Sequence, residues 1–155
     1  MEKTNVMRIL DKSKIEYREY SYANTDAISG VEVASTLGQD PNRVFKTLVT
    51  IAKSKKYYVF MIPVEKELNL KKAAQSVQEK SIEMIKSKDL LPLTGYIHGG
   101  CSPIGMKKNF TTTIDTSAKN YDTIIFSAGK IGYQVELSLV LLEKVIKFNL
   151  ADIVD

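Results

Sequence analysis

The sequence predicts an α+β domain built around a mixed sheet. Three observations carry this expectation. Val44 to Ala52 (VFKTLVTIA) and Lys56 to Pro63 (KYYVFMIP) are rich in β-branched and aromatic residues, and the short polar link Lys53 to Lys55 joins them as a hairpin. Capped helical segments separate the strand groups rather than alternating with single strands. The chain has 155 residues, 44% of them hydrophobic, which suits one domain spanning 1–155 with one real core.

Taken in order, Asn5 is positioned to cap a first helix to about Ser13, with Val6, Met7 and Leu10 inward. Tyr17 to Tyr22 alternates as a strand. Ser29 caps a second helix with Val31, Ala34 and Leu37 on one face, and Gly38 stops it. QDPN, Gln39 to Asn42, is turn chemistry before the hairpin. Asn69 caps a helix with Leu70, Ala73, Ala74 and Val77 at helical spacing. Ser81 to Ile85 reads as a short strand. Ser87 to Thr94 reads as a short helix ended by Gly95, with Pro92 set against its last turn. Tyr96 to His98, Thr111 to Asp115, Thr123 to Ser127 and Tyr133 to Leu137 read as strands, the last two joined by the turn AGKIG. Ser138 caps a last helix to about Phe148, with Leu142, Val145 and Ile146 inside, and Ala151 to Val154 adds an edge strand.

Composition narrows the function classes. The longest apolar runs, such as Tyr57 to Val64, are too short to cross a bilayer, so no membrane role is expected. The opening MEKTNVMRIL lacks an apolar targeting core and a small-residue cleavage site, and the single cysteine excludes an internal disulfide. A reducing, cytoplasmic setting fits. The net charge of +4 permits a polyanionic partner without requiring one. No cofactor motif is present. One Cys and one His cannot fill a zinc site without carboxylates, and none lies between Asp89 and Asp115, so no metal is expected.

GGCSPIGMKK, Gly99 to Lys108, is the segment least like packing. Cys101 is a nucleophile only if something stabilises its thiolate, and His98 is the nearest base in sequence. A small cysteine lining a loop is the plainer reading. Gly99 and Gly100 admit positive φ and close approach of a ligand to the backbone. The N–H groups of Gly100, Cys101 and Ser102 can then converge on one oxygen, or the segment is simply a sharp turn. Lys46 stands among apolar neighbours in VFKTLV. Alternation puts Val44, Lys46 and Leu48 on one face and Phe45, Thr47 and Val49 on the other. Lys46 either snorkels or points into a pocket suited to a phosphate or ribose. SAGKIG offers Ser127 and backbone N–H groups to a ligand, although the full phosphate-loop order is absent. Tyr20, with Tyr17 and Tyr22, serves either a base-stacking surface or an amphipathic strand.

VFKTLV, GGCSPIGMKK and SAGKIG, in this order and spacing, resemble the YbaK/EbsC family, and within it the YbaK-type Cys-tRNA(Pro) deacylases. LLPLTGYIHGG and ADIVD are similar too, and the likeness covers nearly the whole chain. It implies a mixed, mostly antiparallel, partly barrel-like sheet flanked by helices, related to the editing domain of prolyl-tRNA synthetases. It implies trans-editing, the cleavage of a wrong amino acid from tRNA(Pro), with aminoacylated tRNA as substrate and prolyl-tRNA synthetase as a partner in a ternary complex. In the YbaK branch the cysteine thiol of the substrate attacks its own ester. Carried over by position, Lys46, Gly99 and Gly100 form the catalytic set. Lys46 is implied to hold the terminal adenosine and its phosphate, and a glycine backbone to meet the carbonyl. Tyr20, Ile28, Thr47, Cys101, Ser102, Ser127 and Gln134 are implied as substrate-binding, and Lys107, Lys108 and Lys130 as tRNA contacts. Ile28 stands near a position often aromatic in the family, and Gln134 near one often aspartate. The competing expectations are a water-using deacylase for a substrate such as Ala-tRNA(Pro), a non-catalytic tRNA-binding module, and a Cys101-dependent hydrolase.

Overall fold

Side-chain alternation decides which face of the central hairpin meets which core. In the computed structural model, which describes residues 2–155, β2 (Phe45–Ala52) and β3 (Tyr57–Pro63) pair antiparallel from Phe45 opposite Pro63 to Ile51 opposite Tyr57. Phe45, Val49, Val59 and Met61 enter the larger core, while Tyr58, Phe60, Ile62 and Ala52 enter a second core. Both faces are therefore covered, and β3 reads as a continuous apolar run for that reason.

Around this hairpin stand β4 (Ile82–Met84), β5 (Thr111–Asp115) and β8 (Asn149–Ala151), giving the order β4-β2-β3-β5-β8. β4 pairs antiparallel with β2, whereas β3, β5 and β8 run parallel. A second sheet is fully antiparallel, in the order β1-β7-β6, from β1 (Arg18–Ser21), β6 (Ile124–Ser127) and β7 (Tyr133–Leu137). The sheets meet at one corner. Val44 bridges Ile125 in parallel, and the Ile125 N–H donates to the Arg43 carbonyl at 3.0 Å. They do not close further, so the barrel is partial, as the family likeness implied.

The helices follow their caps, with instructive departures. α1 (Asn5–Lys12) is capped by Thr4, whose hydroxyl accepts from the Met7 N–H at 3.2 Å; Asn5 is its first helical residue rather than its cap. α2 (Gly30–Leu37) carries the expected Ser29 cap, reinforced by Glu32 reaching back to the Ser29 N–H, and Gly38 ends it at φ 67°. Its buried face is Val33 and Ala34, while Val31 is exposed. Gly30 sets that rotation, because it lies so close to Val64 that a Cβ there would stand 2.5 Å from Val64 Cγ1. α3 (Leu70–Ser76) starts on Asn69 as read, and buries Ala73 and Ala74.

α4 (Ser87–Thr94) tolerates Pro92 because it closes at Gly95, φ 85°, soon after the lost hydrogen bond. Tyr96 to His98 is not a strand; Tyr96 instead plants its ring in the core, with its hydroxyl donating to the Ile104 carbonyl. α5 (Leu139–Leu142) stops well short of Phe148. The chain has to leave the helix to lay β8 beside β5, and Val145, Ile146 and Phe148 still pack on the larger core from turns. The edge strand is shifted to Asn149–Ala151, and Val154 bridges Leu68 instead. Asp115, 3% exposed, accepts from the N–H groups of Ser117 and Ile153. It thereby opens a 3₁₀ turn over Thr116–Asn120 that periodicity does not announce. No helix among the described residues is long and apolar enough to cross a membrane.

Gly129 sits at φ 88°, where a Cβ would lie 2.9 Å from Tyr96 Cε1 and 3.0 Å from Val6 Cγ2. Gly129→Ala should cost about 1–3 kcal/mol of stability, read as a lower urea midpoint at unchanged slope.

Candidate active site

Strand register assembles the site. Tyr20 of β1 stands opposite Gln134 of β7, and Gln134 stands opposite Ser127 of β6. Directly opposed residues of an antiparallel sheet share a face, so the three form one row across the sheet. Tyr20 is half-buried against Ala34, Val44, Val64 and Ile125. Gln134 is buried, and its carbonyl accepts from Gln39 Nε2 at 2.8 Å. Ser127 Oγ accepts from the Gly129 N–H at 3.1 Å, which braces the SAGKIG turn against its own strand.

Two residues past Gln134 on the same face lies Glu136, only 7% exposed. One of its carboxylate oxygens accepts from the Tyr20 hydroxyl and the other from the Thr123 hydroxyl. Arg43 Nη1 lies 3.6 Å from the carboxylate and donates to Thr123 Oγ1 at 3.3 Å. Burial opposes ionisation of Glu136, but the hydroxyl donors, with Arg43 and Arg18, outweigh it and hold the group below the usual glutamate range. Tyr20 is pushed up, first by that hydrogen bond to Glu136 and then by burial.

The glycine loop packs on SAGKIG. A Cβ at Gly100 would lie 3.2 Å from the Ile131 nitrogen, so the two backbones touch where neither has a side chain between them. Gly99 takes φ 87° and the Gly100 N–H donates to the Ile97 carbonyl at 3.0 Å, the pattern of a type II turn. This corrects the expected trio of N–H groups. That of Gly100 is spent on the turn, whereas those of Gly99, Cys101 and Ser102 have no backbone acceptor among the described residues. The Ser102 side chain is fully buried and accepts from the Ile104 N–H at 3.3 Å.

Cys101 is enclosed in the larger core, and burial pushes its thiol up to about 12. His98 is exposed on the turn. A thiol held protonated at neutral pH is no nucleophile, which removes the structural basis for a Cys101-dependent hydrolase.

Lys46 is half-buried on β2, opposite Ile62, on the face that carries Val44. No ion pair engages it among the described residues. Neighbouring Thr47 turns to the other face, its hydroxyl buried without a partner. Ile28 is 85% exposed ahead of α2, outside the packed row. Lys107 and Lys108 are exposed, and the Lys107 stem lies along Gly95 at the end of α4. Lys130 pairs with Glu2 and sits 5.8 Å from the Tyr133 ring centre. Among the described residues no cluster of His, Cys, Asp and Glu could hold a metal.

The register thus gathers Tyr20, Gln134 and Ser127, and the loop contact adds Gly99 and Gly100. Sequence reading missed Glu136 and Gln39. Glu136 left a signal, an acid between Val135 and Leu137 in a strand. Gln39 left none, because only the fold brings the end of α2 to β7.

Cys101 also sets a pH dependence. Between its ordinary value of 9.0 and about 12 the unfolded chain loses the thiol proton while the folded chain keeps it. The folded state then binds more protons, so this contribution to stability falls as pH rises through that window. Native protein should resist iodoacetamide at pH 8 and react fully once unfolded; rapid native alkylation would contradict a core thiol.

The aminoacyl-tRNA editing domain model matches residues 25–145. A protein of Enterococcus faecalis (strain ATCC 700802 / V583), described as "Putative Cys-tRNA(Pro)/Cys-tRNA(Cys) deacylase EbsC", is 48% identical over 138 residues, 88% of this chain and 84% of that protein. Two solved structures share the fold. "Hypothetical protein APE2540" has a TM-score of 0.88 at 20% identity, covering 98% of this chain and 100% of that one. "A putative trans-editing enzyme for prolyl tRNA synthetase" has a TM-score of 0.83 at 19% identity, covering 98% of each. With a family model spanning most of its length, and a close relative aligned along nearly all of it, the chain belongs to the aminoacyl-tRNA editing domain family.

Proposed function

We propose that this protein is a trans-editing deacylase that clears Cys-tRNA(Pro), with the thiol of the substrate as nucleophile. The observation that carries the reading is the division of labour around the glycine loop. The chain's only thiol is enclosed and protonated, while Tyr20, Gln134 and Ser127, which share a row, and Lys46 and the glycine backbone are groups suited to positioning rather than to attack. The name of the Enterococcus relative supports the same substrate class.

The chemistry needs no protein nucleophile. The cysteinyl sulfur attacks its own ester carbonyl; the C–S bond forms, the C–O bond to the ribose breaks, and the thiol proton passes to the departing ribose oxygen. The products are tRNA and a cyclic thiolactone. The protein contributes geometry and carbonyl polarisation, both large terms when nucleophile and electrophile already share a molecule. Of the two glycines, Gly99 is the candidate to meet that carbonyl, because its N–H has no backbone acceptor among the described residues, whereas that of Gly100 holds the turn. Lys46 holds the terminal phosphate and adenosine, and Lys107, Lys108 and Lys130 meet the acceptor end, Lys130 exchanging its Glu2 partner for phosphate. A synthetic site separates cysteine from proline by only about 1–3 kcal/mol of side-chain contact, so a second sieve keyed to the thiol is chemically sensible.

A deacylation panel tests the reading. Cys-tRNA(Pro) should be cleaved with thiolactone as first product, and Ala-tRNA(Pro) and Pro-tRNA(Pro) should not be cleaved. Cleavage of Ala-tRNA(Pro) at a similar rate would mean that water attacks; salt-dependent tRNA binding without cleavage would mean a binding module. Lys46→Ala should lower the rate on the order of 100-fold with the fold intact by circular dichroism. Wild-type turnover in that variant would remove Lys46 from the site. tRNA identity should matter little until prolyl-tRNA synthetase is added, if the synthetase supplies the selection in a ternary complex.

A further inference from the structure

We infer that Glu136 is a positioning residue that turns the Tyr20 hydroxyl into an obligate hydrogen-bond acceptor for the α-ammonium of the esterified amino acid. The inference rests on the deacylase reading above, and deepens it by naming what Tyr20 recognises.

Proton counting fixes the direction of every bond in the network. A carboxylate has no proton to give. Tyr20 and Thr123, one on each oxygen of Glu136, must both donate. Arg43 donates to Thr123 and flanks the carboxylate, so the chain of donors ends on Glu136 from both sides. Tyrosine has one hydroxyl proton, and here it points inward. What its oxygen can still offer outward is a lone pair. Arg18, exposed and two residues earlier on the same strand, weighs on that oxygen as a cation. Arg18 is thus a cationic donor already beside the outer lone pair of Tyr20, and an ammonium would seat there in exchange for it.

The chemistry of the row explains why such a relay is useful. Gln134, directly opposite Tyr20, is neutral, and its carbonyl is occupied by Gln39. No anion in the row itself faces an ammonium. Glu136 lies behind it and meets the row through the Tyr20 hydroxyl, whose oxygen it makes more negative by drawing on the proton. A positive group seated there is held by a charge it does not touch.

The test compares Cys-tRNA(Pro) with N-acetyl-Cys-tRNA(Pro), which keeps the thiol but loses the ammonium. Wild-type protein should prefer the free amine by at least about tenfold in kcat/KM. Glu136→Gln and Tyr20→Phe should each remove most of that preference, and the double variant should be no worse than either single one. Glu136→Asp, which keeps the charge, should retain part of it. If the wild type shows no preference, or if Tyr20→Phe or a folded Glu136→Gln keeps the wild-type preference while losing rate on both substrates, the inference is wrong and the network is structural or the acetyl effect steric. Should Glu136→Gln fail to fold, Tyr20→Phe decides alone, because it leaves the carboxylate with Thr123 and Arg43. An inactive wild type on Cys-tRNA(Pro) overturns the deacylase reading and this inference together; an active wild type with unchanged variants overturns only this one.

Discussion

The corner at which Val44 meets Ile125 is the contact on which the site depends. A short parallel bridge, which includes the hydrogen bond from the Ile125 N–H to the Arg43 carbonyl, joins a five-stranded sheet to a three-stranded one. The bond alone is worth only about 0.5–1.5 kcal/mol. What makes it durable is the apolar cluster of Ala34, Val44, Val64 and Ile125, which α2 closes through the Gly30 contact with Val64. This corner puts Lys46, two residues beyond Val44 on the same face, on the same side of the molecule as the row led by Tyr20, which packs against the cluster. Without the junction each sheet would carry half of the candidate site.

Next to that corner lies a buried charged network. Burying Glu136 is costly unless its charge is fully engaged. The cost is met by two hydroxyl donors and by Arg43, which also stacks 5.3 Å from the centre of the Tyr121 ring. A network of this kind is rigid because each member depends on the others for its partner. It ties β1 and β7 to the segment that enters β2, so the same interactions that solve a burial problem hold the candidate substrate-facing residues in register.

The glycine loop answers a different constraint. Two backbone segments, one entering Cys101 and one leaving Ser127, have to touch. Side chains would hold them apart, and Gly100 against Ile131, Gly129 against Tyr96 and Val6, and the positive φ of Gly99 allow the approach. The apolar residues after the turn, Cys101 and Ile104, then anchor the loop in the core. A loop surface made of backbone is stiff for this reason, which suits the carbonyl polarisation proposed for it better than a mobile side chain would.

Much of this was legible in the amino-acid order. Alternation along VFKTLV told the two faces of the first hairpin strand apart, and Ser29, Asn69 and Ser138 marked helix starts, because a period of two and a side-chain cap are local properties. The GGCSPIGMKK and SAGKIG motifs marked the two loops that meet, and the lone cysteine, read as a small residue lining its loop, is packed in the core. Misreadings fell where distant partners outbid local preference. α5 ended early because β8 had to reach β5, Tyr96 left its strand pattern to enter the core, and the Gly100 N–H closed a turn. Glu136 and Gln39 gained their meaning only from partners brought from Tyr20, Thr123, Arg43 and Gln134. The sequence by itself determined most of the elements, the faces of the first hairpin strand and the loops that carry the motifs. Tertiary structure alone decided which polar atoms are already spent and which remain for a ligand, since a hydrogen bond between residues far apart in the chain has no local signature.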